Sequence, residues 1–194
     1  RRQLEVQIRK GNLCTMEINH IFIAGAGLMG SGIAQTALQA GYQVTMADSS
    51  TAALERGAAA VRDRLAAKAA KRKLSQRDHE DCLSRLSTAQ SLDTAVRCGL
   101  VIEAIYENFE AKKAIFEQLS SVCRPDCILA SNTSSISLTR LGATVTHPER
   151  FIGMHFFSPV PAMKLLELIP GLRTDQNTLD AARQVGERLG KVMI

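Results

Sequence analysis

IFIAGAGLMGSGIAQTALQAGYQVTMAD, residues 21–48, reads as strand, glycine turn, helix and second strand, closed by an acidic residue. Gly25, Gly27 and Gly30 form G-x-G-x-x-G directly after the apolar run Ile21-Phe22-Ile23-Ala24, and Asp48 stands 18 residues beyond Gly30. The first glycine permits a tight turn, the second lets the backbone approach a pyrophosphate, and the third allows helix and strand to pack closely. The N–H groups that open the helix, at Leu28 and Met29, have no partner inside it and suit negative charge. Asp48 is placed to accept hydrogen bonds from ribose hydroxyls and to repel a 2′-phosphate. Because Ser49 and Ser50 follow it rather than Arg, the stretch predicts NAD and not NADP. A glycine triplet alone is a weak signal, since glycines recur in ordinary turns; here strand, helix, second strand and terminal acid are in register with it. The competing reading is a glycine turn in an α/β protein that binds nothing.

Downstream, residues 51–73 run Ala-rich without Pro, with Leu54, Ala58, Val61, Leu65 and Ala69 at helical spacing. A short helix over residues 76–86 completes an inserted helical hairpin. Strands are expected at residues 86–89, weakly, then at 100–104 (LVIEA) and 127–131 (CILAS), with a helix over 108–122 between the last two. The stripe of that helix is Phe109, Lys112, Ile115, Phe116 and Leu119. Open α/β sheets bind ligands at the carboxyl ends of their strands, which makes Glu107, Lys112 and Ser134 candidates. A further strand, FIGMHF at 151–156, and KLLELI at 164–169 flank the loop Phe157-Ser158-Pro159-Val160-Pro161. A hairpin centred on residue 161 pairs positions whose numbers sum to about 322, so His155 faces Glu167. A carboxylate beside a histidine fixes its tautomer and supports a general base. On spacing alone, a surface cross-strand pair is an equal alternative. A last helix covers 174–189, and 191–194 starts another strand. The fold class is α/β: a Rossmann-type doubly wound, mostly parallel sheet with an inserted helical hairpin and a C-terminal antiparallel hairpin.

The chain has 194 residues, is 45% hydrophobic and carries a net charge of +5, enough for one domain with a substantial core. No apolar run approaches the roughly 18 residues that span a bilayer, which predicts a soluble protein away from membranes. Residues 1–15 are basic without the apolar centre of a secretory signal, and Met16 is a plausible start, so 1–15 is read as a leader or extension before a domain over 16–194. Five cysteines, scattered without C-x-x-C pairs, argue against a disulfide framework and a zinc site, and no histidine has metal-ligand spacing. A reducing compartment, the cytoplasm, is the expectation. Charge is concentrated: between Arg56 and Arg77 eight Lys or Arg face only Asp63, with Arg64, Lys68 and Lys71 along one helix edge. This suggests a phosphate-bearing partner, against the alternative of a solvated basic face. Aromatic content of 4% and the absence of a recognisable motif argue against nucleic acid.

Together, GAGLMGSGIAQ (25–35), EAIYEN (103–108), SNTSSIS (131–137) and GMHFFSPVPAMKLLELIPG (153–171) closely resemble the NAD-binding domain of the L-3-hydroxyacyl-CoA dehydrogenase family, from Ile18 to Ile194. The resemblance implies NAD-dependent, reversible oxidation of an L-3-hydroxyacyl-CoA to the 3-ketoacyl-CoA, on short chains such as 3-hydroxybutyryl-CoA. It implies that His155 is the base, Glu167 its orienting partner, and Ser134 a substrate contact. It also implies that Glu107 and Lys112 touch NAD, and that Arg64 and Lys71 touch coenzyme A. Ser158 stands where many members have Asn, so a shorter side chain must reach the substrate. The family continues into a helical second domain that supplies a further active-site Asn and most of a homodimer interface; this chain ends before it. Two other readings are a dehydrogenase of a free hydroxy acid and a non-catalytic dinucleotide-binding protein. Retention of His155, Glu167 and Ser134 together speaks against the second.

Overall fold

The structure, a computed structural model, describes residues 17–194; the expectations for residues 1–15 and Met16 lie outside them. The first strand β1 (His20–Ala24), helix α1 (Leu28–Gln39) and strand β2 (Gln43–Ala47) form the expected unit. The inserted hairpin is α2 (Thr51–Ala70) and α3 (Gln76–Ser84), which leads into β3 (Leu86–Ala89). The chain continues through β4 (Leu100–Glu103), α4 (Phe109–Val122), β5 (Ile128–Ser131), a short α5 (Leu138–Gly142) and β6 (Phe151–Phe156). It ends with β7 (Leu165–Pro170), α6 (Gln176–Arg188) and β8 (Val192–Met193).

All eight strands share one sheet in the order β3-β2-β1-β4-β5-β6-β7-β8. The pairings from β3 across to β6 are parallel; β7 runs antiparallel to β6, and β8 parallel to β7. The central strands are mostly apolar because helices cover both faces, and two buried polar exceptions, Glu103 and Ser131, fall at the carboxyl ends of β4 and β5. Ile21 and Ile23 pack toward α1 and α2, while Phe22 packs with Phe116 and Leu119 of α4 on the other face. The antiparallel register brings Ile152 opposite Pro170 and His155 opposite Glu167, as the hairpin count predicts.

Two differences from the sequence expectation have local causes. α2 stops at Ala70, three residues early, because Arg72 adopts a left-handed φ of 54° and Lys73 N–H turns back to Lys68 O at 2.9 Å. Short 3-10 segments at Leu92–Arg97 and Pro148–Arg150, and the five-residue α5, are too short to show a period.

The register lines the strand ends up. Ala24 pairs with both Ala47 and Glu103, Glu103 with Ser131, and Ser131 with Gly153. Candidate residues Gly25, Asp48, Glu107, Ser134 and His155 all fall one to four residues beyond this row, on one edge of the sheet. Chain order reverses between β1 and β4, the switch point where such sheets bind ligands.

Candidate functional site

At the switch point, Gly25 has φ 114°, and a Cβ there would lie 2.6 Å from Ala104 O. Its N–H donates to Ala47 O at 2.7 Å, carrying the parallel β1–β2 ladder one residue past the strand end. A Cβ on Gly30 would meet Gly25 O at 1.8 Å, so α1 packs on its own loop only through a glycine. Gly27 differs: nothing lies within 4 Å of a Cβ built on it. No contact among the described residues requires a glycine there, which leaves the space in front of the helix open. Gly27 caps α1 without a side-chain hydrogen bond, and the first turn holds no acidic residue, so the N–H groups at Leu28 and Met29 keep their anion-binding capacity. These features fit a dinucleotide pyrophosphate.

Asp48 does two things. Its Oδ2 accepts from Ala26 N–H at 3.0 Å and its Oδ1 from Ser50 N–H at 2.9 Å, so the carboxylate ties the end of β2 to the glycine loop while remaining half-exposed. A cavity of about 580 Å³ opens here, lined by Gly25, Gly27, Asp48, Gln90, Ile105 and Tyr106 among others. Its size and position suit the adenosine half of a dinucleotide. Tyr106, one of the lining residues, is 73% exposed, and Leu28, next to Gly27, is 71% exposed.

Between β4 and β5 the site is built on buried charge. Lys112, on the apolar stripe of α4, is 1% exposed and Glu103 is 0% exposed. Lys112 Nζ lies 2.6 Å from Glu103 Oε1 and 3.3 Å from Glu107 Oε2. Removing one partner of such a buried pair strands the other, at a cost of about 3–5 kcal/mol. Glu107 Oε1 accepts from Thr133 Oγ1, from Ser134 N–H at 3.1 Å and from Ser135 N–H at 3.3 Å. Burial pushes its carboxyl up, but the Thr133 hydroxyl, the Lys112 ammonium and the Ser135 hydroxyl outweigh that and hold it down at about 2. Neither Lys112 nor Glu107 is among the residues that line the 580 Å³ cavity.

On β6, His155 Nδ1 is 2.6 Å from Glu167 Oε2 across the hairpin. A carboxylate only accepts, so Nδ1 carries a proton toward Glu167, and in the neutral imidazole Nε2 is then the acceptor. Nε2 has no hydrogen-bond partner among the described residues, and the ring leans on Phe157 with centroids 4.6 Å apart. Asn132 Oδ1 accepts the neighbouring Phe156 N–H at 2.8 Å, which joins the loop after β5 to the strand carrying His155. Ser134 and Ser158 are exposed on their loops. His155 and Glu167 do not line the 580 Å³ cavity, and His155 stands three strands along the same edge from β1.

The basic edge of α2 turns partly inward. Arg64 Nε donates to Gln35 Oε1 at 2.7 Å, and Lys68 Nζ to Gln39 Oε1 at 2.8 Å, so α1 supports both cations with neutral amides. Burial pushes the Arg64 pKa down, and its Nη2 is buried without a partner. Lys71 caps the end of α2 and is exposed. Neither Arg64 nor Lys71 lines the 580 Å³ cavity. Sequence reasoning did not single out Gln35, Gln39, Glu103 or Thr133. The one available signal was a lysine on an otherwise apolar stripe. Among the described residues no group of His, Cys, Asp and Glu could hold a metal ion, and Cys82, Cys98, Cys123 and Cys127 are free thiols.

The fold and the glycine loop define a dinucleotide-binding domain of the Rossmann class. Residues 20–194 match the family model described as 3-hydroxyacyl-CoA dehydrogenase, NAD binding domain. The chain belongs to this family, and NAD is its cofactor, as the sequence predicts. It is 45% identical over 179 residues to a probable 3-hydroxybutyryl-CoA dehydrogenase of Bacillus subtilis, covering 92% of this chain and 62% of the relative. The solved structure of (S)-3-hydroxybutyryl-CoA dehydrogenase from Ralstonia eutropha superposes with a TM-score of 0.89 at 43% identity, covering 92% of this chain and 63% of that one. A 3-hydroxybutyryl-CoA dehydrogenase from Escherichia coli gives a TM-score of 0.90 at 37% identity, over 92% of this chain and 38% of that one. The chain therefore spans less than two thirds of the length of these relatives.

Proposed function

We propose that the full-length protein oxidises an L-3-hydroxyacyl-CoA to the 3-ketoacyl-CoA, reversibly and with NAD, on short acyl chains such as 3-hydroxybutyryl-CoA. The observation that carries this reading is the 2.6 Å pairing of His155 with Glu167 on the same sheet edge as the glycine loop. β1 and β6 are three strands apart in the sheet, roughly 14 Å at about 4.8 Å per strand, which supports a dinucleotide lying along that edge toward His155. Bound NAD supplies the hydride acceptor. His155 Nε2 takes the proton of the C3 hydroxyl as C3 gives up its hydride and the C–O bond becomes a carbonyl. Glu167 stabilises the imidazolium so formed and keeps the ring oriented.

The exposed Ser134 supports a hydrogen bond to the substrate, and Ser158 at the turn after β6 is a second polar contact of shorter reach than Asn. Glu107 borders the cofactor and Lys112 acts there through it. Arg64 and Lys71 meet the phosphates of coenzyme A. Replacing both by Ala is expected to raise KM for acetoacetyl-CoA about fivefold to tenfold at low ionic strength, a difference that shrinks with added salt. An unaltered KM returns the basic edge to a solvated face.

The full-length protein is further read as a cytoplasmic homodimer. The free thiols support a reducing compartment, and sedimentation of the full-length protein reads the dimer. No helix of the described residues is long and apolar enough to cross a membrane. The reading as a whole is tested by NADH oxidation with acetoacetyl-CoA against free acetoacetate in the full-length protein. Strong preference for the thioester is expected. Equal rates would favour a dehydrogenase of free hydroxy acids, and no turnover of either would favour a binding-only protein.

A further inference from the structure

Glu103 and Lys112 are fully buried, and the chemistry above uses neither directly. Their hydrogen bonds nevertheless converge on Ser134. Glu103 Oε1 accepts from Lys112 Nζ at 2.6 Å and from Ile105 N–H at 2.8 Å, which fixes the turn after β4. Its Oε2 accepts from Ser131 Oγ at 2.7 Å, at the end of β5, and Ser131 Oγ accepts from Thr133 N–H at 3.3 Å. A second branch runs from Lys112 through Glu107, whose Oε1 gathers the Thr133 hydroxyl, the Ser134 and Ser135 amides, and the Ser135 hydroxyl at 3.1 Å. Four donors on one oxygen demand a full negative charge, and the Lys112 ammonium compensates it on the other oxygen. The loop is also held at its start, where Asn132 accepts from Phe156 N–H beside His155. Ser134 Oγ takes no part in the clamp and makes no hydrogen bond among the described residues, so its hydroxyl is free for a ligand.

We propose that Glu103, Lys112, Glu107 and Thr133 are positioning residues that hold Ser134 in a fixed orientation toward His155; the inference rests on the dehydrogenase reading above. The network links three segments of chain, the turn after β4, the start of α4 and the loop after β5, through one buried ion pair. It joins the cofactor side of the sheet edge to the substrate side.

The test uses the full-length protein. Thr133→Val removes one hydroxyl at nearly constant shape and is expected to lower kcat/KM for acetoacetyl-CoA about 10-fold to 100-fold, with the NADH dissociation constant unchanged. Thr133→Ser, which keeps the hydroxyl, should restore activity. Because Thr133 acts through Ser134, Thr133→Val should have no further effect in a Ser134→Ala background. Full additivity in the double variant, or wild-type activity in Thr133→Val alone, overturns the proposal. If the wild type itself reduces no acyl-CoA, the dehydrogenase reading falls separately, and hydrogen exchange of the Ser134 and Ser135 amides still judges the clamp. Glu107→Gln should speed that exchange, and unchanged protection overturns the assignment.

Discussion

His155→Gln in the full-length protein is expected to lower kcat for acetoacetyl-CoA reduction by about 10³-fold, near the middle of the range for loss of a positioned general acid–base. Glutamine keeps a polar side chain of similar reach and can still hydrogen-bond Glu167, so the hairpin should survive. It cannot take up or release a proton near neutral pH. The dissociation constant for NADH, read by fluorescence titration, should stay unchanged, because His155 lies outside the cavity lined by Gly25, Gly27 and Asp48. Activity within about tenfold of wild type would sink the general-base assignment. It would leave the 2.6 Å pair as a cross-strand contact and nothing more.

The second large effect separates two glycines of the same motif. Gly30→Ala places a methyl 1.8 Å from Gly25 O, a backbone atom that cannot move without opening the turn, and is expected to cost about 3 kcal/mol or more of stability. A Cβ at Gly27 meets nothing within 4 Å, so Gly27→Val should still fold and unfold cooperatively, at most about 1 kcal/mol below wild type for the poorer helix cap. It fills the space in front of the α1 N-terminus, and NADH affinity should fall at least about 100-fold, or about 2.7 kcal/mol. A Gly27→Val protein that folds and binds NADH normally would remove the pyrophosphate from this helix end.

Features set by neighbouring residues could be read from the chain, and features set by packing could not. The Ile21–Asp48 unit is legible because turn, helix and second strand are contiguous. The facing of His155 and Glu167 is legible for the same reason: a hairpin's register follows from its centre. β3 reads weakly as LSTA because it is an edge strand with its residues partly or fully exposed. The grip of Glu107 on Thr133 and Ser134 spans 26 and 27 residues, across α4 and β5, so no period or spacing announces it. Lys112 shows the limit most clearly. Its place on the stripe of α4 predicts burial, but the carboxylate that makes burial tolerable belongs to β4 and is known only once the helix has docked. The inward lean of Arg64 onto Gln35 depends in the same way on how α2 lies over α1.

The bond from Ala26 N–H to Asp48 Oδ2 bears on any attempt to retarget the domain to a phosphorylated dinucleotide. The usual exchange of an acid for a basic or neutral residue at this position is treated as a change of charge alone. Here the same carboxylate is an acceptor on which the glycine loop rests, so the exchange also frees the middle of the loop that meets the pyrophosphate. Cofactor preference and loop geometry are therefore one trait at Asp48. A switch of specificity has to bring in its positive charge from a neighbouring position, such as Ser49, while leaving an acceptor in place at residue 48.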